Sequence, residues 1–349
     1  MKKNWLNNFK RFSPENFDRS KYLRLDKNER VVNLNKLFLG KLKKKLNTFE
    51  ITAYPNIQKT TNLIAKKFGV SSQNICLTAG SDFGLRMCFE FFCKENDKII
   101  CLEPTFGMVE VYSNLFKLKN IKIGYDYKLN LDFKKFYKNL NKKISLVVIA
   151  NPNSPTGTVI DEKILKKIII KTNQLGVPLV IDEAYYGFYK KTYLKLIKTY
   201  KNIIILRTFS KSYGLAGLRA GFIACNKATA KNLFKFRPMY EINSISCIAI
   251  EFLLKNTKLV QDHIKHVQDS KKFLINELKK INYKYLNTHA NFFHIDLRGN
   301  KRKFEKILKQ NKILVRKGPG VKGYESFLRF SLGSVQQMSK ITRLLKSLK

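Results

Sequence analysis

The 349-residue chain is short of acid: 25 Asp and Glu stand against 68 Lys and Arg, a formal charge of +43. Such a surplus would normally mark a partner of nucleic acid or an anionic membrane. Here the lysines are scattered along the whole chain rather than gathered in a patch. Arginine, the better reader of phosphates and base edges, supplies only 13 of the 68. A compositional bias toward Lys, Asn and Ile accounts for the charge more simply, and no nucleic-acid partner is expected. Cysteine is sparse too, six residues with no Cys-x-x-Cys pair and no zinc spacing, which excludes a disulfide framework and a structural zinc. Most of the six lie in apolar runs, where a free thiol behaves as a small hydrophobe, as in a reduced, intracellular setting. Long apolar runs are missing as well. None approaches the roughly 20 residues of a membrane helix, and the basic start MKKNWLNNFKRF has no apolar centre for a secretory signal. The expectation is a soluble, cytoplasmic protein without a membrane partner.

What is present is ample for a core: 44% hydrophobic and 12% aromatic residues. The length calls for two lobes rather than one small core. From Asn74 onward apolar strands alternate with amphipathic helices: NICLTAG, SDFGLRMCFEFF, KIICLEP, TFGMVEVYSNLF, SLVVIANP, DEKILKKIIIKTNQLG and VPLVIDEAYY. Strands apolar throughout, such as SLVVIA and VPLVID, suit a mostly parallel sheet covered by helices on both faces. The fold class is therefore α/β, with a smaller α+β lobe after about Tyr240. The expected division is an arm and short helix over 1–45, a large domain over 46–240 and a small domain over 241–349. In that arm LDKNER forms a compact turn, and a helix is expected over Asn33–Asn47.

In such sheets, sites lie beyond the carboxyl ends of the strands, and there the informative residues stand: Ser81, Thr105, Asn153, Asp182 and Lys211. The stretch LRTFSKSYGLAGLRAGF follows an apolar strand with a lysine, Lys211, between two serines, then three glycines and Arg219. A lysine entering a Gly-rich turn after a buried strand can form a Schiff base with an aldehyde once desolvated. Thr208, Ser210 and Arg219 make an anion cup beside it. Aldehyde plus phosphate describes pyridoxal 5′-phosphate. One of 55 lysines proves little alone, so the remaining strand ends matter.

One strand earlier, Asp182 and Tyr185 could partner a protonated ring nitrogen and a phenolic oxygen. AGSD ends a strand and opens a helix, an anion site of free N–H groups that is compatible with Ser81 as N-cap. Phe106 in EPTFGM could stack on a flat ring. NPNSPTG (151–157) is an unusual loop with two X-Pro steps, more than a plain turn requires. Arg329, inside the apolar strand FLRFSL with no acid beside it, asks for an anionic partner such as a substrate carboxylate. Arg316 in ILVRK is a second anion contact.

The ordered set YPN, AGSD, PTFGM, NPNSPTG, IDEAY, SK…GLAGLRAGF and LRFSLG resembles the fold-type I pyridoxal-phosphate aminotransferases of class I/II, and within them the histidinol-phosphate aminotransferase branch. The match runs from LDKNER to FLRFSLGS. It implies transfer of an amino group between a donor such as histidinol phosphate and a 2-oxo acid such as 2-oxoglutarate. It makes Lys211 the Schiff-base lysine and general base, with Asp182 on the pyridine nitrogen and Tyr185 on the phenolic oxygen. Ser81, Asp82, Ser210 and Arg219 would hold the cofactor phosphate and Phe106 would stack on its ring. Arg329 would grip the substrate α-carboxylate, with Arg316 and Asn28 as further substrate contacts. Tyr54 would reach a partner subunit's cofactor phosphate, implying a homodimer. Where the family has Asn before Pro-Thr-Gly this chain has Ser154, preceded by Asn153, and either side chain could serve the ring oxygen. The same fold also hosts decarboxylases of amino-acid phosphates and aminotransferases with non-histidine substrates. An RNA-binding protein on a dead enzyme fold would need an eroded site, whereas Lys211, Asp182, Tyr185 and Arg219 all stand.

Overall fold

The computed structural model describes residues 16–348. Its strands, in chain order, are β1 (Leu23–Arg24), β2 (Ile75–Thr78), β3 (Lys98–Glu103), β4 (Lys119–Gly124), β5 (Ile144–Ala150), β6 (Leu179–Asp182), β7 (Ile203–Thr208), β8 (Gly221–Cys225), β9 (Tyr285–Leu286), β10 (Phe292–Asp296), β11 (Ile313–Leu314), β12 (Arg316–Lys317) and β13 (Phe327–Ser331). Seven of them form one sheet in the order β2-β8-β7-β6-β5-β3-β4. All run parallel except β8, which is antiparallel to both neighbours.

The reason these segments are central strands is that both of their faces are buried. Along β5 to β7, Val147, Ile149, Leu179, Ile181, Ile203 and Ile205 pack into one apolar cluster. Their alternates Leu146, Val148, Val180, Ile204 and Leu206 pack into another on the opposite face. With period 2 along a strand, that split requires helices above and below. Each fully buried Ile or Leu contributes roughly 1.5–3 kcal/mol relative to leaving it in water. The helix Gly80–Phe92 lies on the second of these faces. There Gly84 brings it close, since a Cβ would stand 3.1 Å from Ile223 and 3.4 Å from Leu206. The helices Ile57–Phe68 and Glu162–Leu175 stop at Gly69 and Gly176, both left-handed, as glycine stops do.

A four-stranded antiparallel sheet, β12-β13-β10-β9, follows in the C-terminal third. Its core includes Phe293, Ile295, Leu328, Phe330, Met338 and Ile341. Leu25 and Val31 belong to that same core, and β1 pairs in parallel with β11. The turn LDKNER is thereby fastened to the C-terminal sheet rather than to the large one. Three stretches of the chain are each divided in two. The helix over 33–47 is two, Lys36–Lys45 and Thr48–Thr52, each opened by an Asn cap. The helical region 244–281 breaks at Asn256 into Ser244–Lys255 and Thr257–Lys280. ILVRK is split at Val315 between two sheets.

Candidate active site

Lys211 follows β7 in a turn shaped by Thr208. The Ser210 N–H donates to Thr208 Oγ1 at 3.1 Å, and Thr208 Oγ1 donates to Ser210 Oγ at 3.0 Å. This short side-chain turn leaves Ser210 facing Arg219, whose Nη1 donates to it at 3.4 Å and to the Ala216 carbonyl at 3.2 Å. Arg219 also lies against Gly80. A Cβ on Gly80 would stand 2.9 Å from Arg219 Nη2, and the residue has φ +84°.

The helix opening at Gly80 corrects one expectation. Ser81 is not the N-cap; Ala79 is, with no side-chain hydrogen bond. The left-handed turn at Gly80 starts the helix early, so Ser81 and Asp82 sit in its first turn, where main-chain N–H groups have no intrahelical acceptor. Gly221 makes room for that turn: a Cβ there would stand 2.7 Å from the Ser81 nitrogen. The Asp82 carboxylate is itself held by the Tyr112 hydroxyl at 2.9 Å. Ser81, Asp82, Ser210 and Arg219 thus come together as an uncapped helix start, a hydroxyl and a guanidinium, the donor set of a phosphate cradle.

Lys211 Nζ donates to the Lys27 carbonyl at 2.9 Å. Burial lowers its pKa from 10.5 to about 8, and the positive charges of Arg329 and Arg219 act the same way against Glu29 and Asp182. Asp182, at the end of β6, accepts the Ala184 N–H at 2.9 Å. Burial lifts it to about 7, with the charges of Asp82 and Glu183 adding to the rise. A buried carboxyl of this kind is suited to pair with a cationic nitrogen.

Tyr185 is buried, which raises its hydroxyl's pKa; Arg329, Ser154 and Asn28 oppose that rise. Asn28 Nδ2 donates to Tyr185 Oη at 2.9 Å. Asn153 is committed elsewhere: its Oδ1 accepts from Thr105, and its Nδ2 donates to the Pro104 carbonyl and to Thr156. Of the two candidates before Pro-Thr-Gly, Ser154 is therefore the one that reaches Tyr185. Thr105 ties the end of β3 to this loop, and the next residue, Phe106, is 36% exposed.

Arg329 sits on β13 with Nη2 on the Asp26 carbonyl at 2.9 Å, while its buried Nε has no partner among the described residues. The Asp26 carboxylate is not its partner; that group is held by Arg19 at 2.6 Å. The Phe292 ring lies 5.2 Å from the guanidinium. Arg316 is exposed and lies opposite Arg329 in the β12–β13 register. Tyr54 stands apart: it is 75% exposed and stacks on Tyr240 at 3.9 Å.

Sequence reasoning missed two supports. Beneath Asp182, Glu183 and Arg207 form a buried ion pair at 2.6 Å, with Thr192 bonded to both and Tyr186 3.4 Å from the guanidinium. The other is Ser331, whose Oγ accepts the Asn28 N–H at 2.8 Å. The alternation of FLRFSL puts Ser331 on the same face as Arg329, and that was its signal.

A parallel sheet with a half-buried lysine, a carboxyl near neutral pKa and an anion-binding set of donors at its strand ends fits pyridoxal 5′-phosphate. The molecule is an enzyme of the pyridoxal-phosphate class with fold type I. The family model for aminotransferase class I and II matches residues 20–348, and the chain belongs to that family. It is 32% identical to a histidinol-phosphate aminotransferase of Clostridium novyi, over 97% of this chain and 95% of the other. A histidinol-phosphate aminotransferase of Sinorhizobium meliloti solved with pyridoxal-5′-phosphate superposes with a TM-score of 0.82 at 19% identity, covering 95% and 93% of the two chains. An L-threonine-O-3-phosphate decarboxylase of Porphyromonas gingivalis gives 0.76 at 20% identity, over 93% and 99%. At such identities these two likenesses concern the fold alone. The chain is a pyridoxal-phosphate-dependent aminotransferase. Among the described residues no helix is long and apolar enough to cross a membrane, and no His, Cys, Asp or Glu group could hold a metal.

Proposed function

We propose that this enzyme moves the amino group of histidinol phosphate to a 2-oxo acid such as 2-oxoglutarate, in the cytoplasm and as a homodimer. The observation that carries the reading is Lys211, an amine held on the Lys27 carbonyl with its pKa drawn down to about 8 by burial and by the charges of Arg329 and Arg219, and within reach of the charge on Asp182. The name borne by relatives near 30% identity supports the choice of donor.

When bound, the cofactor supplies an aldehyde that takes the amino group and a cationic ring that draws electrons from the substrate's Cα. Main-chain N–H groups of Ser81 and Asp82, the Ser210 hydroxyl and Arg219 hold its phosphate. The Asp182 carboxylate keeps a proton on the ring nitrogen, an arrangement fixed in advance by the Ala184 N–H. Tyr185, backed by Ser154, donates its hydroxyl to the ring oxygen. Phe106, at the mouth beside Thr105, covers one ring face. Arg329 turns its unpaired Nε to the carboxylate of the 2-oxo acid, and Arg316 and Asn28 border the same space. Lys211 Nζ, neutral in an appreciable fraction near pH 8, removes the Cα proton and holds it for return. A second copy of the chain brings Tyr54 to the phosphate, which accounts for a tyrosine left 75% exposed on one chain.

The test mixes the holoenzyme with histidinol phosphate, glutamate and aromatic amino acids one at a time, following the visible absorbance and the product. Rapid loss of the visible band with histidinol phosphate, and formation of a ketone product, is expected. Conversion by other donors only would discard this substrate, and release of carbon dioxide would replace transamination by decarboxylation.

A further inference from the structure

Three consecutive residues, Asp26, Lys27 and Asn28, touch three of the proposed active-site side chains in turn. The Asp26 carbonyl accepts from Arg329 and the Lys27 carbonyl from Lys211, each at 2.9 Å. Asn28 Nδ2 donates to the Tyr185 hydroxyl oxygen at 2.9 Å. The last contact ends a chain of hydrogen bonds that begins at the Asn28 main chain and passes through Ser331. The Asn28 main-chain N–H can only donate, and it donates to Ser331 Oγ at 2.8 Å. The Ser331 proton is then directed to Asn28 Oδ1, 3.2 Å away. An amide whose oxygen is used in this way turns its NH₂ to Tyr185. Asn291 Nδ2 fixes the Asn28 carbonyl at 3.0 Å. Asn28, Ser331, Asn291 and Tyr185 are all buried, and Asn28 has φ +54°, a conformation that Asn and Asp tolerate better than other non-glycine residues.

We propose that Asn28 is a positioning residue for Tyr185: by filling an acceptor site on the hydroxyl oxygen, it commits the tyrosine's own proton to the cofactor side. This rests on the cofactor reading given above and deepens it. A tyrosine hydroxyl has one proton and two acceptor sites. With Asn28 donating into one site, the proton has no acceptor in that direction and points toward Ser154 or the ring oxygen beyond. The amide is in turn oriented by Ser331, two residues along β13 from Arg329. The strand that presents Arg329 to a substrate carboxylate therefore also sets the polarity of Tyr185. Asn28 acts on the reaction through Tyr185 and not by gripping substrate, a narrower role than the substrate contact the resemblance implied.

The experiment reads the visible absorbance of the holoenzyme against pH. The charged groups that face the Tyr185 hydroxyl are Arg329 from β13 and Asp182 from β6, and both stay in place in every variant. Asn28→Asp keeps the shape and the backbone conformation, but its carboxylate only accepts, so it draws the tyrosine proton away. Loss of that donor and the added negative charge both favour the protonated chromophore. The midpoint should rise by about one unit, the size of one charge-assisted hydrogen bond. The turnover rate should fall while KM for the 2-oxo acid holds. Asn28→Gly, which deletes the side chain without backbone strain, and Ser331→Ala, which frees the amide and also removes the acceptor of the Asn28 main-chain N–H, should shift the midpoint the same way and less. If Asn28→Asp fails to fold, these two carry the test. A wild-type band that titrates, beside Asn28→Asp and Asn28→Gly enzymes with the same midpoint, overturns the proposal. A wild type that binds no cofactor at all overturns the functional reading and this one with it.

Discussion

The guanidinium of Arg219 lies so close over Gly80 that a Cβ there would stand 2.9 Å from Nη2. Glycine is needed at this point twice, for that approach and for a φ of +84°. The contact presses the arginine onto the first turn of the helix Gly80–Phe92, which supplies the main-chain N–H groups of the proposed phosphate cradle. Gly80→Ala should therefore act at a distance of one residue on the arginine, lowering affinity for pyridoxal 5′-phosphate by roughly 10- to 100-fold, the worth of one charge-assisted contact. Arg219→Ala should cost about as much, and the double variant little more than either, because both remove the same contact. Titrating the apoenzyme with cofactor measures all three. A Gly80→Ala enzyme with wild-type affinity would show that the packing has no bearing on the cradle.

Lys211 carries a pH signature in the apoenzyme. Its folded-state pKa of about 8 lies below the ordinary 10.5. Below pH 8 the amine is charged in both states, and the fold bears the cost of burying that charge. Between about 8 and 10.5 the unfolded chain binds a proton that the folded one does not, so stability rises with pH across that window. Lys211→Met removes the group, and the variant apoenzyme should be more stable than wild type at pH 7 by on the order of 2 kcal/mol. The gap should close as pH passes 8 toward 10.5. Urea denaturation of the two apoenzymes at pH 7 and pH 10 checks it, and a gap that stays constant with pH would contradict the assigned burial. The same variant should lose transamination altogether.

The large sheet and its strand-end residues were legible because β5 to β7 are apolar on both faces, and a strand buried in that way announces a parallel sheet with its site at the carboxyl ends. Lys211 and Asp182 were found on that logic, Tyr185 and Arg219 from their places a few residues further along, and the fold brings the four together. The pairing of β1 with β11 was not legible. Two-residue strands have no period to read, and their partners are chosen by Leu25 and Val31 joining a core built from the other end of the chain. Ser81 was misplaced by two positions because the cap rule reads side chains, whereas here the backbone of Gly80 decides where the helix starts. The engagement of Asn28 with Tyr185 joins positions far apart in sequence, a pairing no local pattern encodes.

Glu183 and Arg207 are buried together at 2.6 Å beneath the Asp182 turn. Glu183 also accepts the Tyr193 N–H at 2.7 Å and the Thr192 hydroxyl at 2.8 Å. Glu183→Gln would leave the Arg207 cation buried without its counter-charge, and removal of one partner of such a pair typically costs about 3–5 kcal/mol. The expected result is a lower urea midpoint with an unchanged slope. Arg207→Met combined with Glu183→Gln should recover part of the loss, since the uncompensated charge is then gone. Cofactor affinity of the surviving folded fraction should change little, as neither side chain belongs to the proposed cradle. Equal midpoints for wild type and Glu183→Gln would mean that the pair contributes nothing to the fold.

Tyr54 offers the sharpest check on assembly. On one chain it is 75% exposed and stacked on Tyr240, beside exposed Phe49, Ile51 and Met239. An apolar surface of that kind calls for a cover. If the cover is a second copy, Tyr54 of one subunit serves the site that holds Lys211 of the other. Tyr54→Ala should then weaken cofactor binding and turnover, and Lys211→Ala should abolish turnover. Mixed after dissociation and reassembly, the weakened and the inactive protein should together regain activity. Each heterodimer carries one site with an intact lysine from one subunit and an intact tyrosine from its neighbour. With equal amounts and random pairing, half the dimers are mixed and half their sites are whole, so recovery should approach about a quarter of wild type. Were Tyr54 to serve the site of its own chain, every site in the mixture would carry one defect, and no activity would return.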